Sequence, residues 1–260
     1  MTRLELHRQL RTLYSTYNDA RYIHPDPLEF VHHYDNPRDQ EVAGLIAALL
    51  AYGRVAQILT SIEKLLSPMG ASPYDYLTDA SEGTIRTDTE YFRHRWTTGD
   101  DIANLLLGMK RSLKRRGSLE ASFASHISDS DETTLAPLSN WVHALAEGFP
   151  KNSLLSDPAR GSACKRLHLY LRWMVRSDQV DPGPWKSISP KLLVIPLDTH
   201  MYKVAKRYRM TRRKAPDGKA ALDMTKVFRK MEPEDPLKFD FVLTRLGIRA
   251  ELSPDLLETL

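Results

Sequence analysis

The stretch Gly161-Ser-Ala-Cys-Lys165-Arg-Leu-His-Leu-Tyr-Leu-Arg-Trp-Met-Val-Arg176 decides how this chain is read. It follows a loop, Pro150 to Gly161, that holds two prolines, and it predicts a helix from about Ser162 to Arg176. Lys165 falls in the first turn of that helix, just after a glycine-containing turn. Free N–H groups at such a helix start can hold a phosphate, so Arg160, Gly161, Ser162 and Arg166 are candidate phosphate contacts. The positive helix end, with Arg166 beside it, is an unfavourable place for an ammonium, which makes Lys165 a candidate nucleophile. Leu169 and Trp173 lie one and two turns along the same face and would wall such a site.

A second stretch, Ile195-Pro-Leu-Asp198-Thr-His-Met-Tyr-Lys-Val-Ala-Lys-Arg207, puts Asp198 where an N-cap belongs. Its carboxylate should accept from the N–H of His200 or Met201. A fixed carboxylate facing a nucleophilic lysine can stabilise a cationic sugar intermediate or accept a proton. From Asp198 to Asp217 there is no acidic residue, while Lys203, Lys206, Arg207, Arg209, Arg212, Arg213 and Lys214 all occur. Of these, Lys203, Arg207, Arg212 and Arg213, together with His200, are further candidate phosphate contacts. Other basic clusters run from Lys110 to Arg116 and from Arg160 to Arg176. Any one of them is also compatible with a solvated helix face.

Outward from these stretches, helical periodicity dominates. Leu4, His7, Leu10, Leu13 and Tyr14 fit an amphipathic first helix. Asp26-Pro27 opens a short helix, and Asn36-Pro37 a stronger one with Val42, Leu45, Ile46, Leu49 and Leu50 on its apolar face. Ile58 to Leu66 forms the next, stopped by Pro68-Met69-Gly70. Thr78 to Thr98 reads as turn-rich, with no long element. Asp100 or Gly99 caps a helix that ends at Gly117, Ser118 opens a short one, and Leu135 to Leu145 carries another around Trp141. Asp181-Pro-Gly-Pro-Trp is a turn-rich insert, and Leu192 to Pro196 is extended. Ala220 to Met231 is helical, and Pro233-Glu-Asp-Pro begins a last long helix ending at Gly247. The fold class is all-α, with two lobes: residues 36–150 form one, and residues 1–35 with 151–260 form the other.

Composition narrows the function classes. The 260 residues are 42% hydrophobic and 27% charged, with a net charge of +4. No apolar run approaches the roughly 20 residues that cross a bilayer, and the N-terminus lacks a secretory signal layout. The expected location is cytoplasmic. A single cysteine, Cys164, excludes an internal disulfide and a four-cysteine iron–sulfur cluster. The histidines show no zinc-protease spacing, and there is no P-loop or Gly-x-Gly-x-x-Gly. Neither metal nor cofactor is expected.

Leu197-Asp198-Thr-His200 followed by a basic helix resembles the Val-Asp-Thr-His segment of the helix-hairpin-helix (HhH-GPD) DNA glycosylase superfamily, which includes endonuclease III. There a lysine opens the helix after the hairpin and an aspartate caps the next one; Lys165 and Asp198 fall in those places. The interval between them is longer than in endonuclease III-like enzymes, and the insert Ser177 to Lys191 accounts for it. In that respect the archaeal 8-oxoguanine glycosylase branch is more similar. Pro158-Ala-Arg-Gly-Ser-Ala-Cys164 has one glycine where those hairpins carry two or more, so the hairpin is degenerate. The segments around Lys165, Pro184-Trp-Lys-Ser-Ile188 and Pro196-Leu-Asp-Thr-His200 also look like a bacterial family of conserved hypothetical proteins, the domain of unknown function 2400.

The superfamily resemblance implies a two-lobed glycosylase fold without an iron–sulfur cluster and a monomer acting on lesion-containing double-stranded DNA. It implies base excision repair of a damaged purine such as 8-oxoguanine, with Lys165 as nucleophile and Asp198 as partner. Implied pocket walls are Tyr52, Arg54 and Gln57, then Leu169 and Trp173, then Phe239 and Asp240, with Trp185 from the insert. Two other readings stay open: a non-catalytic binder of damaged or structured DNA, and an enzyme acting on RNA or modified nucleosides.

Overall fold

Side-chain caps set most of the helix starts, and most starts stand where the sequence puts them. The computed structural model describes residues 2–150 and 152–248. Helix α1 (Arg3–Tyr17) opens on a reciprocal capping box between Thr2 and Glu5 and buries Leu6, Leu10 and Leu13. Leu4, expected on the apolar face, is exposed instead. A 3-10 turn at Pro27–Phe30 leads to α2 (Pro37–Leu50), capped by the Asn36 side chain. Apolar and small residues surround α2 on every side, so it is buried over most of its length. Helix α3 (Val55–Leu66) buries one stripe and runs into a 3-10 turn, Ser67–Met69, that ends at Gly70.

The segment Thr78 to Thr98 carries more structure than its composition suggests. Helix α4 (Pro73–Asp79) runs into it, and α5 (Glu82–Thr89) lies within it, capped by Ser81 but burying only Ile85 and Thr89. One buried apolar residue, Ile85, is too little to make a periodic signal. A minimal hairpin follows, with β1 (Arg93–His94) antiparallel to β2 (Thr97–Thr98). Thr98, not Asp100 or Gly99, caps α6 (Gly99–Arg116), because Asp101 completes a capping box with it.

Then come α7 (Leu119–Ala124), α8 (Leu135–Leu145), α9 (Lys165–Val175), α10 (Thr199–Arg207), α11 (Gly218–Met231) and α12 (Asp240–Ile248). The last helix starts later than expected. Residues 232–239 form successive turns instead, with Lys238 N donating to Asp235 O at 3.1 Å and Asp240 N to Leu237 O at 2.9 Å. Pro236 has no N–H for a helix, and Arg176 grips Asp235 with Nε and Nη2. The architecture is all-α apart from the hairpin among the described residues.

Packing centres on two contacts. Helix α2 lies along α9, and α6 is surrounded by α4, α5, α7 and α8. Gly108 lets α6 meet α8: a Cβ there would stand 2.2 Å from the Leu145 carbonyl oxygen. One connected cluster of buried apolar side chains reaches from Leu6 to Leu243.

Buried charges tie the insert 177–191 to this core. Glu41 accepts from Leu119 N, Glu120 N and Trp185 Nε1, at 2.9, 3.1 and 2.9 Å. Burial still pushes its carboxyl above the usual range. Gly183 N and Trp185 N donate to the Trp173 and Met174 carbonyls at the end of α9. Arg172 and Arg176 both pair with Asp181, which has no exposed surface. These charges are fully satisfied anchors rather than free groups.

Candidate functional site

Gly161, in the left-handed region with φ of 82°, turns the chain after a 3-10 turn at Pro158–Arg160. Its carbonyl accepts from Gly218 N at 2.9 Å, which docks this turn on the start of α11. Cys164, the residue before α9, is also left-handed, with φ of 42°, and supplies no cap to the helix. A non-glycine residue there stores about 1 kcal/mol or more of strain. Its thiol is buried and donates to the Ser156 carbonyl, and burial pushes its pKa up. Cys164 therefore shapes the turn and is no nucleophile.

Lys165 Nζ lies 3.5 Å from Asp198 Oδ2. Asp198 is the N-cap of α10, its Oδ1 accepting from Met201 N at 2.8 Å. Its two oxygens thus do different things. The two side chains are 36% and 26% exposed. An ion pair that open to water adds only about 0–1 kcal/mol to stability. The helix starts, rather than the attraction, hold the two groups together.

The lysine stands in a cleft of about 390 Å³ lined by Tyr52, Leu154, Ser156, Ser162, Arg166 and Pro216, among others. A more apolar cavity of about 290 Å³ adjoins it between α6, α8 and residues 149–162, sharing Ser156 and Ser162. Arg160 lines that second cavity. Lys165 lines the first, so the site is placed there.

The expected pocket walls divide. Tyr52 lines the Lys165 cleft. Arg54 and Gln57 are exposed at the start of α3, and Gln57 lines a neighbouring cleft of about 440 Å³ with Arg93 and Arg95. Leu169 is half-buried against the core. The other four are corrected. Trp173 has no exposed surface, because its face of α9 turns into the core. Trp185 is 1% exposed and serves Glu41. Phe239 packs edge-on against Tyr14 and His7. Asp240 is buried, with Oδ2 2.6 Å from Arg172 Nη1.

The expected phosphate contacts divide as well. Gly161, Ser162, Arg160, Lys203, Arg207 and Arg212 are exposed. Arg213 is exposed but paired with Asp217 at 2.6 Å. Two others are corrected. Arg166 donates to the Leu49 and Ser153 carbonyls and lies over the Tyr52 ring at 4.9 Å. Burial lowers its pKa, and Nη1 and Nη2 each already donate to a backbone carbonyl. The His200 ring donates through Nε2 to the Leu243 carbonyl at 2.9 Å, which binds α10 to α12.

Two functional candidates escape the sequence reading. Trp96 is 55% exposed at the hairpin tip, and it stacks on Tyr52 with centroids 4.9 Å apart and planes 24° apart. Arg95 lies over Trp96 at 4.6 Å. The run Tyr91-Phe-Arg-His-Arg-Trp96, alternating aromatic and basic residues, was the available signal.

A family model described as a protein of unknown function (DUF2400) matches residues 26–249. The chain belongs to that family. No curated protein and no solved structure matches it. In this DUF2400 chain the matched span covers Tyr52, Trp96, Lys165 and Asp198 alike. Among the described residues no helix is long and apolar enough to cross a membrane. No group of three or more His, Cys, Asp or Glu side chains among them could hold a metal ion.

What the site offers is an amine within reach of a fixed carboxylate, an uncapped helix start and a partly aromatic wall. An amine so placed can add to an electrophilic carbon, and the carboxylate can offset positive charge that develops beside it.

Proposed function

We propose that this protein is a DNA base-excision glycosylase with lyase activity, using Lys165 as nucleophile and Asp198 as its electrostatic partner. The observation that carries the reading is the 3.5 Å approach of Lys165 Nζ to Asp198 Oδ2 at the start of two helices. The reading takes its reaction class from the glycosylase resemblance of the two sequence stretches. Further support comes from the exposed Lys203 and Arg212, which give a phosphate backbone partners.

In this reading the target nucleotide leaves the duplex stack and its sugar sits over Lys165. The amine attacks C1′, and the glycosidic bond breaks with its electron pair going to the base, which takes up the proton that Nζ sheds on bonding to carbon. The sugar ring opens at C1′–O4′, O4′ takes a proton from water, and the bond to Nζ becomes an iminium. Asp198 offsets the positive charge on the sugar. Loss of a proton from C2′ then expels the 3′ phosphate, and water returns free Lys165. A damaged purine such as 8-oxoguanine is the substrate class this reading favours.

Borohydride reduces such an iminium to a stable amine. Incubating the protein with duplexes carrying an abasic site or 8-oxoguanine, in the presence of borohydride, should give a covalent adduct that Lys165→Ala abolishes. No adduct on any lesion, with salt-sensitive DNA binding intact, would leave a non-catalytic binder; an adduct or turnover on RNA alone would move the substrate to RNA.

A further inference from the structure

The indole of Trp96 is exposed where a purely structural residue would be covered. Of the four tryptophans, Trp141, Trp173 and Trp185 are 1% exposed or less, and Trp96 is 55% exposed. The hairpin that carries it has two residue pairs, too few to be stable alone. It is instead bolted to its surroundings. His94 is buried and bonds Ser61 Oγ and the Tyr52 carbonyl, both at 2.9 Å. Tyr52 Oη donates to the His94 carbonyl and lies 2.6 Å from Thr97 Oγ1. Trp96 Nε1 donates to Ser153 Oγ at 2.9 Å. A rigid base thus presents an open aromatic tip.

The tip also divides two basic clefts. On one side lies the Lys165 cleft, with Lys165 and Arg166; on the other lies the cleft with Arg93, Arg95 and Gln57. No carboxylate lines the second cleft, and Asp198 stands 3.5 Å from Lys165 Nζ beside the first. A planar ladder connects them, running from Arg166 over Tyr52 to Trp96 and on to Arg95. Arg95 is exposed and makes no hydrogen bond or ion pair among the described residues, so it is free to lift from the indole.

We propose that the Arg95–Trp96 tip is a stacking platform for a nucleobase of the DNA strand whose reacting sugar lies at Lys165. The proposal rests on the DNA-handling reading above and adds a position to it. The base lies on the indole, the Arg95 guanidinium covers it, and the flanking phosphates enter the two basic clefts. Every base has a π-face, so the platform is indifferent to sequence, and one such stack is worth a roughly 10-fold change in affinity.

The test uses the full chain and two oligonucleotides, each as duplex and as single strand: one with a tetrahydrofuran abasic analogue for binding and quenching, and one with a true abasic site for borohydride trapping. Trp96 is the one tryptophan an aqueous quencher reaches, so acrylamide quenching reports on it directly. DNA should protect that fluorescence. Trp96→Ala should weaken binding about 10-fold, with Trp96→Phe restoring most of it by keeping a π-face. Arg95→Ala should weaken it less. If Trp96→Ala does not fold, wild-type quenching and the Trp96→Phe and Arg95→Ala affinities decide. DNA bound and trapped at Lys165, with quenching unchanged and the Trp96 variants binding like wild type, would overturn the platform alone. Protection by both oligonucleotides without a borohydride adduct on the true abasic site would support the platform and overturn the lyase reading. No binding to either oligonucleotide would overturn both.

Discussion

The Asp198 carboxylate is divided between Met201 and Lys165: Oδ1 accepts from Met201 N at 2.8 Å, and Oδ2 lies 3.5 Å from Lys165 Nζ. Capping and charge can therefore be separated by substitution. Asparagine caps a helix about as well as aspartate, so Asp198→Asn should hold stability to within about 0.5 kcal/mol. It should also cut the borohydride adduct by 10-fold or more, because the neutral amide no longer offsets charge at the sugar. Asp198→Ala should lose both, with about 1 kcal/mol from the missing cap. Urea unfolding and adduct yield, measured on the same preparations, check it. Full adduct yield in Asp198→Asn would reduce Asp198 to a cap.

A second prediction follows from where Asp240 lies. Arg172 holds Asp240 Oδ2 at 2.6 Å and Asp181 Oδ1 at 3.0 Å, and all three side chains are 4% exposed or less. Asp240→Ala should destabilise the protein by about 3 kcal/mol, at the low end for a broken buried pair because Asp181 still faces Arg172. The variant's ranking of lesions by adduct yield per folded molecule should match that of the wild type. A shift in lesion preference at unchanged stability would return Asp240 to the pocket wall.

Helix starts were legible because their signals are local. Asn36, Ser118 and Asp198 each stand before a helix, and each caps it. Lys165 and Asp198 were legible for the same reason, since each begins a helix. Their meeting across 3.5 Å was not, because it depends on how α9 and α10 pack. Trp173, Trp185, Phe239 and Asp240 were misplaced because aromatic and charged residues look alike in sequence whether they wall a cleft or sit in the core. Only partners such as Glu41 and Arg172, distant in sequence, distinguish the two. Trp96 was overlooked for the opposite reason. Its hairpin is held by His94, Ser61 and Tyr52, none of which makes a strand pattern.

Gly108 tests the packing of α6. Alanine is a better helix former than glycine by about 1 kcal/mol. Yet a Cβ there would stand 2.2 Å from a backbone carbonyl oxygen of α8, which cannot turn aside as a flexible side chain does. The clash should win, and Gly108→Ala should destabilise by about 1–3 kcal/mol net. A thermal midpoint equal to or above wild type would show that α6 and α8 separate freely.

His168 should make stability fall in mild acid. The ring is fully buried in α9, its Nδ1 has no partner, and burial pushes its pKa from 6.5 down to about 4. In the unfolded chain it protonates near 6.5, in the folded protein only near 4. Between those values the unfolded state holds more protons, so stability drops as pH falls. The full difference amounts to about 3 kcal/mol at pH 4. His126, also pushed down by burial, acts in the same direction. Glu41, Asp181 and Asp240 are pushed up by burial and act oppositely as they protonate. The contribution of His168 is therefore read as wild type minus His168→Leu, from urea midpoints between pH 7 and pH 4.5. Leucine leaves no unpaired polar atom, so it should cost little at pH 7. The gap between the two proteins should then shift in favour of the variant as pH falls. A constant gap across that range would mean that the folded protein accepts the His168 proton as readily as the unfolded chain does.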